Sequence, residues 1–237
     1  MTVLRLLILS VFGVSVTRCF ISYHVLEQCP SGEVSLDLSD SQGRSSVVVT
    51  LSKHLPYPGD SSCNLTINAP WADGLLFVVR MINMRWDNSR CLDHMKLSDK
   101  NQVLLAPLCS ARAIGTRFVA IPEKQVNLEV KTHPSSPSRN YTGLNLAFTG
   151  YVNEIRCDLD EMFLCQKTGV CISKTLLCDQ VDHCGDRSDE PQDCEYHGKP
   201  TWIDWAPLLS WCVICALFGG AFFRVYWRKR RLQLKEQ

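Results

Sequence analysis

The residues most able to do chemistry crowd between Cys157 and Cys194. Six cysteines fall in this stretch, at 157, 165, 171, 178, 184 and 194, and its last third reads Cys178-Asp-Gln-Val-Asp-His-Cys184-Gly-Asp-Arg-Ser-Asp-Glu190. Roughly nine carboxylates stand against three cations here, although the chain as a whole sums to +1. Carboxylates this dense point to a hard cation held through oxygen, and six thiols allow three bridges. The apolar residues are few (Met162, Phe163, Leu164, Ile172, Leu176, Leu177). Below about 40 residues a segment so poor in apolar surface needs bridges or a metal to hold its shape.

The run Phe163-x-Cys165-x3-Gly169-x-Cys171-Ile172, followed by Cys178-Asp179-x4-Cys184-x-Asp186-x-Ser188-Asp189-Glu190-x3-Cys194, resembles a low-density-lipoprotein-receptor class A (LDLa) module over residues 156–195. The resemblance implies bridges 157–171, 165–184 and 178–194. It also implies a Ca²⁺ cage from the side chains of Asp179, Asp189 and Glu190 and the carbonyls of Leu176 and Val181. One cage position departs from the family: His183 stands where a carboxylate is usual, and imidazole is a poor Ca²⁺ ligand. Asp182 sits one residue earlier. Calcium is expected, bound more weakly than by a full site. Family members that clasp a partner's lysine do so with positions matching Leu176, Asp179, Val181 and His183. Only Asp179 keeps an acid, so lipoprotein-type capture is not expected.

Residues 29–153 must position this module. They carry short alternating runs: Ser46-Val-Val-Val-Thr-Leu, Leu65-Thr-Ile, a longer and more buried Gly74-Leu-Leu-Phe-Val-Val-Arg-Met-Ile, Arg117-Phe-Val-Ala-Ile, then Val126/Leu128/Val130 and Leu144/Leu146/Phe148. Period-two runs punctuated by Pro, Gly, Asn and Ser predict an antiparallel sandwich. The string Tyr57-Pro58-x4-Cys63-x-Leu65-x-Ile67-x-Ala69-Pro70, with Cys91-x-Asp93-x-Met95-x-Leu97, Cys109 and Thr142-Gly143-Leu144-x-Leu146-Ala147-Phe148, resembles a CUB domain, a jelly-roll sandwich. The resemblance implies bridges 29–63 and 91–109. Many CUB domains hold calcium with one Glu and two Asp; here those positions fall near Arg85, at Asp93 and near His133, so no calcium is expected in the sandwich, and Asp93 reads as a polar turn residue. Asn64-Leu-Thr66 and Asn140-Tyr-Thr142 are glycosylation sequons. Gly59-Asp60-Ser61 suggests a serine-protease loop only superficially: Ser62 follows it, no histidine sits in a matching context, and the string reads as a turn. His54, His94, His133 and His183 show no metal-ligand spacing, and the chain is expected not to be an enzyme.

The two ends speak of topology. Residues 1–19 pair Arg5 with the short apolar run from Leu6, which reads as a signal peptide cleaved after Ser15, Thr17 or Cys19. Cleavage after Cys19 removes the odd cysteine; a retained Cys19 is free to link two chains. After a linker at 196–204, residues 205–227 read as one membrane span, flanked by Trp202, Trp205, Tyr226 and Trp227. Arg224, Arg228, Lys229, Arg230 and Arg231 place the tail, 228–237, in the cytoplasm. Cys212, Ala216 and Gly220 offer a small-residue stripe for helix packing. The fold class is then mainly β: a CUB-type antiparallel jelly-roll sandwich, a small disulfide-rich calcium-binding LDLa module and one transmembrane helix. This architecture resembles CUB-containing LDLa-domain membrane proteins and, more distantly, neuropilin- and tolloid-like proteins. The expected function is non-enzymatic binding at the plasma membrane as a type I protein, toward an extracellular or membrane protein partner. No basic patch interleaved with aromatics points to nucleic acid. The alternatives are an endocytic or lipoprotein receptor and a shed binding factor.

Overall fold

A computed structural model describes residues 20–194 apart from 30, 41–43, 89, 101, 111–117, 136–139 and 193, together with Trp227. The signal segment with Cys19, the linker, the predicted span up to 226 with its small-residue stripe, and the tail lie outside these residues. Among the described residues no helix is long and apolar enough to cross a membrane.

The alternating runs become strands because one set of their side chains can be buried between two layers. In the first layer β1 (Ile21–His24), β3 (Ser46–Thr50), β12 (Gly143–Asn153), β5 (Gly74–Asn83) and β10 (Phe118–Ile121) lie side by side in that order. In the second the order is β2 (Ser31–Asp37), β4 (Ser62–Asn68), β11 (Gln125–Lys131), β8 (His94–Ser98) and β9 (Val103–Leu108). A small ribbon, β6 (Trp86–Asp87) with β7 (Arg90–Cys91), stands apart. Leu65 and Ile67 of β4, Val126, Leu128 and Val130 of β11, Phe77 of β5 and Phe148 of β12 meet in the core, the last two with ring centroids 5.0 Å apart. Bridges Cys29–Cys63 and Cys91–Cys109 tie its loops.

Two expectations need correction. The sandwich is not purely antiparallel: β1 runs parallel to β3 and β2 parallel to β4. Both are edge pairs, where an incoming chain can join without a hairpin partner. The sandwich also begins before Cys29, because β1 already lies in the sheet, its Tyr23 buried with the core. A helical turn, Val25–Gln28, carries the chain from β1 toward the second layer.

The cysteine-rich module folds on the hairpin β13 (Met162–Leu164) and β14 (Val170–Ser173), held by bridges 157–171, 165–184 and 178–194. It is not a bead on a string. Strand β12 continues past the sandwich, and its Val152 and Asn153 pair with Cys171 and Val170 of β14. The outer face of the first layer carries Val48, Leu76, Val78, Ala147 and Tyr151, and these pack against Val170, Ile172, Leu176 and Val181 of the module in a second apolar core. Gly185, at φ +82°, lies so close to Phe118 that a Cβ would collide with its side chain. At the neck Arg156 pairs with Asp73, which also accepts the Asn153 amide. Sandwich and module therefore form one compact unit.

Candidate metal centre

The loop after β14 bends sharply. Cys178, Gln180 and Arg187 all have positive φ, at 59°, 72° and 62°. An L residue in this region is strained by about 1–2 kcal/mol, so the bridges must hold it there. The bends bring the predicted acids together. Asp189 is fully buried; its Oδ2 accepts the His183 amide at 2.6 Å, and its Oδ1 has no hydrogen-bond partner. Glu190 Oε1 accepts the amides of Asp179 and Gln180 at 2.7 and 3.1 Å. Asp179 Oδ1 accepts the Val181 amide at 2.9 Å. Leu176 and Val181, whose carbonyls the resemblance assigns to the cage, are both buried.

The electrostatics fit a hard cation. Burial pushes the Asp189 carboxyl up to about 6, against the pull of the His183 amide. Burial likewise raises Glu190, despite its two amide donors. A buried carboxylate oxygen without a donor is costly unless a charge faces it, and Asp189 Oδ1 is such an atom. The residues present thus fit Ca²⁺, with Asp179, Asp189 and Glu190 as acids. A thiolate metal does not fit: Cys184 Sγ lies within 4.8 Å of carboxylate oxygens of Asp186 and Asp189, but it is bonded to Cys165. Asp186 is spent on the Ser188 hydroxyl and the Lys167 amide. Asp182 does not stand in for the missing acid, because its Oδ1 caps the next turn by accepting the amides of Gly185 and Arg187.

His183 turns both ring nitrogens to protein partners. Its ring is fully buried, Nε2 is 3.1 Å from Asp179 Oδ2, and Nδ1 is 3.0 Å from both Ser46 Oγ on β3 and Thr149 Oγ1 on β12. The imidazole that replaces a cage acid is a docking residue. Three of the four positions that the resemblance matches to a lysine clasp, Leu176, Val181 and His183, are buried against this chain's own sandwich. Sequence reasoning missed Ser46, Thr149 and the docking. Its signal was there: Val47-Val48-Val49 and Leu75-Leu76-Phe77-Val78 are apolar on both faces, as strands covered on both sides are.

A second cluster lies at one end of the sandwich. Asp93, read as a turn residue, is fully buried. Its Oδ1 accepts Arg85 Nη2 and the His133 amide, each at 2.7 Å, and its Oδ2 accepts the Tyr57 hydroxyl at 2.5 Å. Arg85 also donates to the His133 carbonyl at 2.9 Å and to Ser135. Burial first, and the bond to Asp93 next, raise the Tyr57 phenol far above its ordinary value. The three positions where the resemblance looked for a metal are here joined around a guanidinium. The sequons Asn64 and Asn140 are both exposed, Asn64 on the outer face of β4.

Residues 155–194 match the family model described as Low-density lipoprotein receptor domain class A, and this segment is a class A module. A complement component C8 beta chain from Paralichthys olivaceus is 44% identical over 55 residues, covering 19% of this chain; this chain spans 9% of that protein. Among solved structures, the CUB1-EGF-CUB2 domains of rat MASP-1 align over 57% of this chain and 49% of that chain, at 21% identity and a TM-score of 0.41. The MASP-1 CUB2 domain bound to Ca²⁺ aligns over 52% of this chain and all of that one, at 14% identity and a TM-score of 0.40. Such scores say nothing about what this sandwich binds, and the expectation that it holds no calcium is not borne out by them.

Proposed function

We propose that the chain is a non-enzymatic, membrane-anchored binding protein of the cell surface, making extracellular protein–protein contacts through a calcium-loaded class A module fixed to a CUB-like sandwich. The observation that carries this reading is the burial of Leu176, Val181 and His183 against β3, β5 and β12. With its clasp face spent on the sandwich, the module works as part of one larger surface and not as a lysine trap. Contacts then fall on surfaces built by both parts. A cleft of about 560 Å³ lies between them, lined by Arg80, Met81 and Asn145 on one side and Gln180, Asp182 and Arg187 on the other. Charges of both signs in one concavity suit a polar protein surface, where complementarity sets specificity. The buried titratable groups support a non-enzymatic reading: Asp93 is spent on Arg85, and His183 on Asp179 and two hydroxyls.

The test is co-purification and proximity labelling of the tagged full-length protein at the cell surface, with and without a calcium chelator. Surface proteins enriched by the parent and lost in the Arg80→Glu/Arg187→Glu double variant support the reading. Retention of the same partners by that variant removes the cleft from it. Recovery of the chain solely from the medium overturns the anchoring.

A further inference from the structure

We propose that the sandwich completes the module's calcium site: Thr149, acting through His183, positions the ligand carboxylate of Asp179. The inference rests on the calcium reading above and adds residues from outside the module.

The hydrogen-bond directions lead to it. Asp179 Oδ2 is an acceptor when ionised, so the Nε2 facing it at 3.1 Å carries the proton. In that tautomer Nδ1 is an acceptor. It has two hydroxyls at 3.0 Å, and the Ser46 hydroxyl donates to the Phe148 carbonyl at 3.0 Å. Ser46 Oγ and Thr149 Oγ1 are also 3.0 Å apart, so the hydroxyls form one relay in which Ser46 closes on the Phe148 carbonyl and Thr149 donates to Nδ1. That bond fixes the tautomer, the tautomer presents N–H to Asp179, and the Val181 amide holds the other carboxylate oxygen. Ser46, Thr149 and His183 are all fully buried, so bulk solvent does not compete for this chain of bonds. The aromatic ring of Phe20 lies against the imidazole, centroids 6.0 Å apart.

The surroundings argue that the hydroxyls serve His183. The buried neighbours of these hydroxyls on the outer face include Val48, Leu76, Val78 and Ala147, all apolar. A surface meant only for docking would be apolar throughout, since buried hydroxyls need partners. The pair of hydroxyls falls where the imidazole arrives. Having lost one acid at position 183, the cage has fewer charged ligands, and the orientation of those that remain counts for more. Residues that orient a metal ligand through a hydrogen bond typically change affinity by about 10–100-fold when removed. His183 and Thr149 are in this sense positioning residues, not ligands.

The experiment is a calorimetric Ca²⁺ titration of the full-length protein in detergent, alongside its melting in chelator. Thr149→Val is expected to weaken Ca²⁺ binding about tenfold at temperatures well below its own metal-free melt, and Thr149→Ser, which keeps the hydroxyl, to restore most of it. His183→Phe, which fills the same space without ring nitrogens, is expected to show the same loss. Combining it with Thr149→Val adds nothing further, because both act through one bond chain. Additive losses, or affinity changed less than about twofold in both single variants, overturn the inference and leave the calcium reading standing. Absence of Ca²⁺ binding in the parent overturns both.

Discussion

Asp93 and Asp189 are the same side chain, each fully shielded from solvent, at opposite parts of the molecule. Every oxygen of Asp93 is engaged, and one partner is a guanidinium supplied by the chain itself. Asp189 has a single backbone donor on one oxygen and nothing on the other. Burial has raised the second carboxyl to about 6. The contrast teaches that burial alone does not define a metal site. What matters is whether the fold carries its own positive charge to the carboxylate or leaves that place to an ion.

The comparison is most easily broken at Arg85. Arg85→Met leaves Asp93 buried without its cation, which costs about 3–5 kcal/mol. Denaturant unfolding should show this loss equally in calcium and in chelator; a loss confined to calcium would put an ion at Asp93 after all. Asp189→Asn should behave in the opposite way. In chelator it is neutral or stabilising, because it removes an unpaired buried charge, whereas in calcium it removes ligand stabilisation of about 2.7 kcal/mol at a hundredfold excess over Kd. A similar melt for parent and variant in saturating calcium would sink the cage assignment.

The pH dependence sharpens the same contrast. A folded-state pKa raised above the unfolded one means that protonation favours the metal-free fold. The contribution of Asp189 is therefore complete below the ordinary carboxylate range and is lost as pH rises through about 6. Calcium needs the ionised form, so affinity should fall by roughly tenfold per unit below pH 6, as titrations at stepped pH would read. A flat profile between pH 7 and 5 would contradict the shift. The floor of the scale is a half-buried surface pair, Lys96 and Glu129 at 3.8 Å. Lys96→Ala should change stability by less than about 1 kcal/mol, and a larger effect would mean that the unfolding assay is not reporting burial.

Much of this was legible in advance, and the gaps have physical reasons. Alternation at Val126/Leu128/Val130 and Leu144/Leu146/Phe148 announces strands because the period of a strand is a local property. The strand Ile21–His24 was hidden by its nearness to an apolar leader, and its parallel pairing with Ser46–Thr50 depends on long-range geometry. The carboxylate cluster itself suggests a hard cation, whereas the choice of Asp179, Asp189 and Glu190 as cage acids is what the resemblance to class A modules implies. His183 was read as a deficit because sequence displays what is missing from a pattern and not what a side chain has turned to meet. Its partners, Ser46 and Thr149, lie 137 and 34 residues away. Asp93 was read as a turn residue since nothing local tells that Tyr57, Arg85 and His133 close over it.

The passage of β12 from one fold into the next has a consequence for avidity. A flexible tether between two binding surfaces would have to be ordered when both engage, and that ordering weakens the complex. Here Val152 and Asn153 belong to both parts by backbone pairing. A ligand bridging the two meets them already at fixed spacing, and it surrenders no linker entropy on contact.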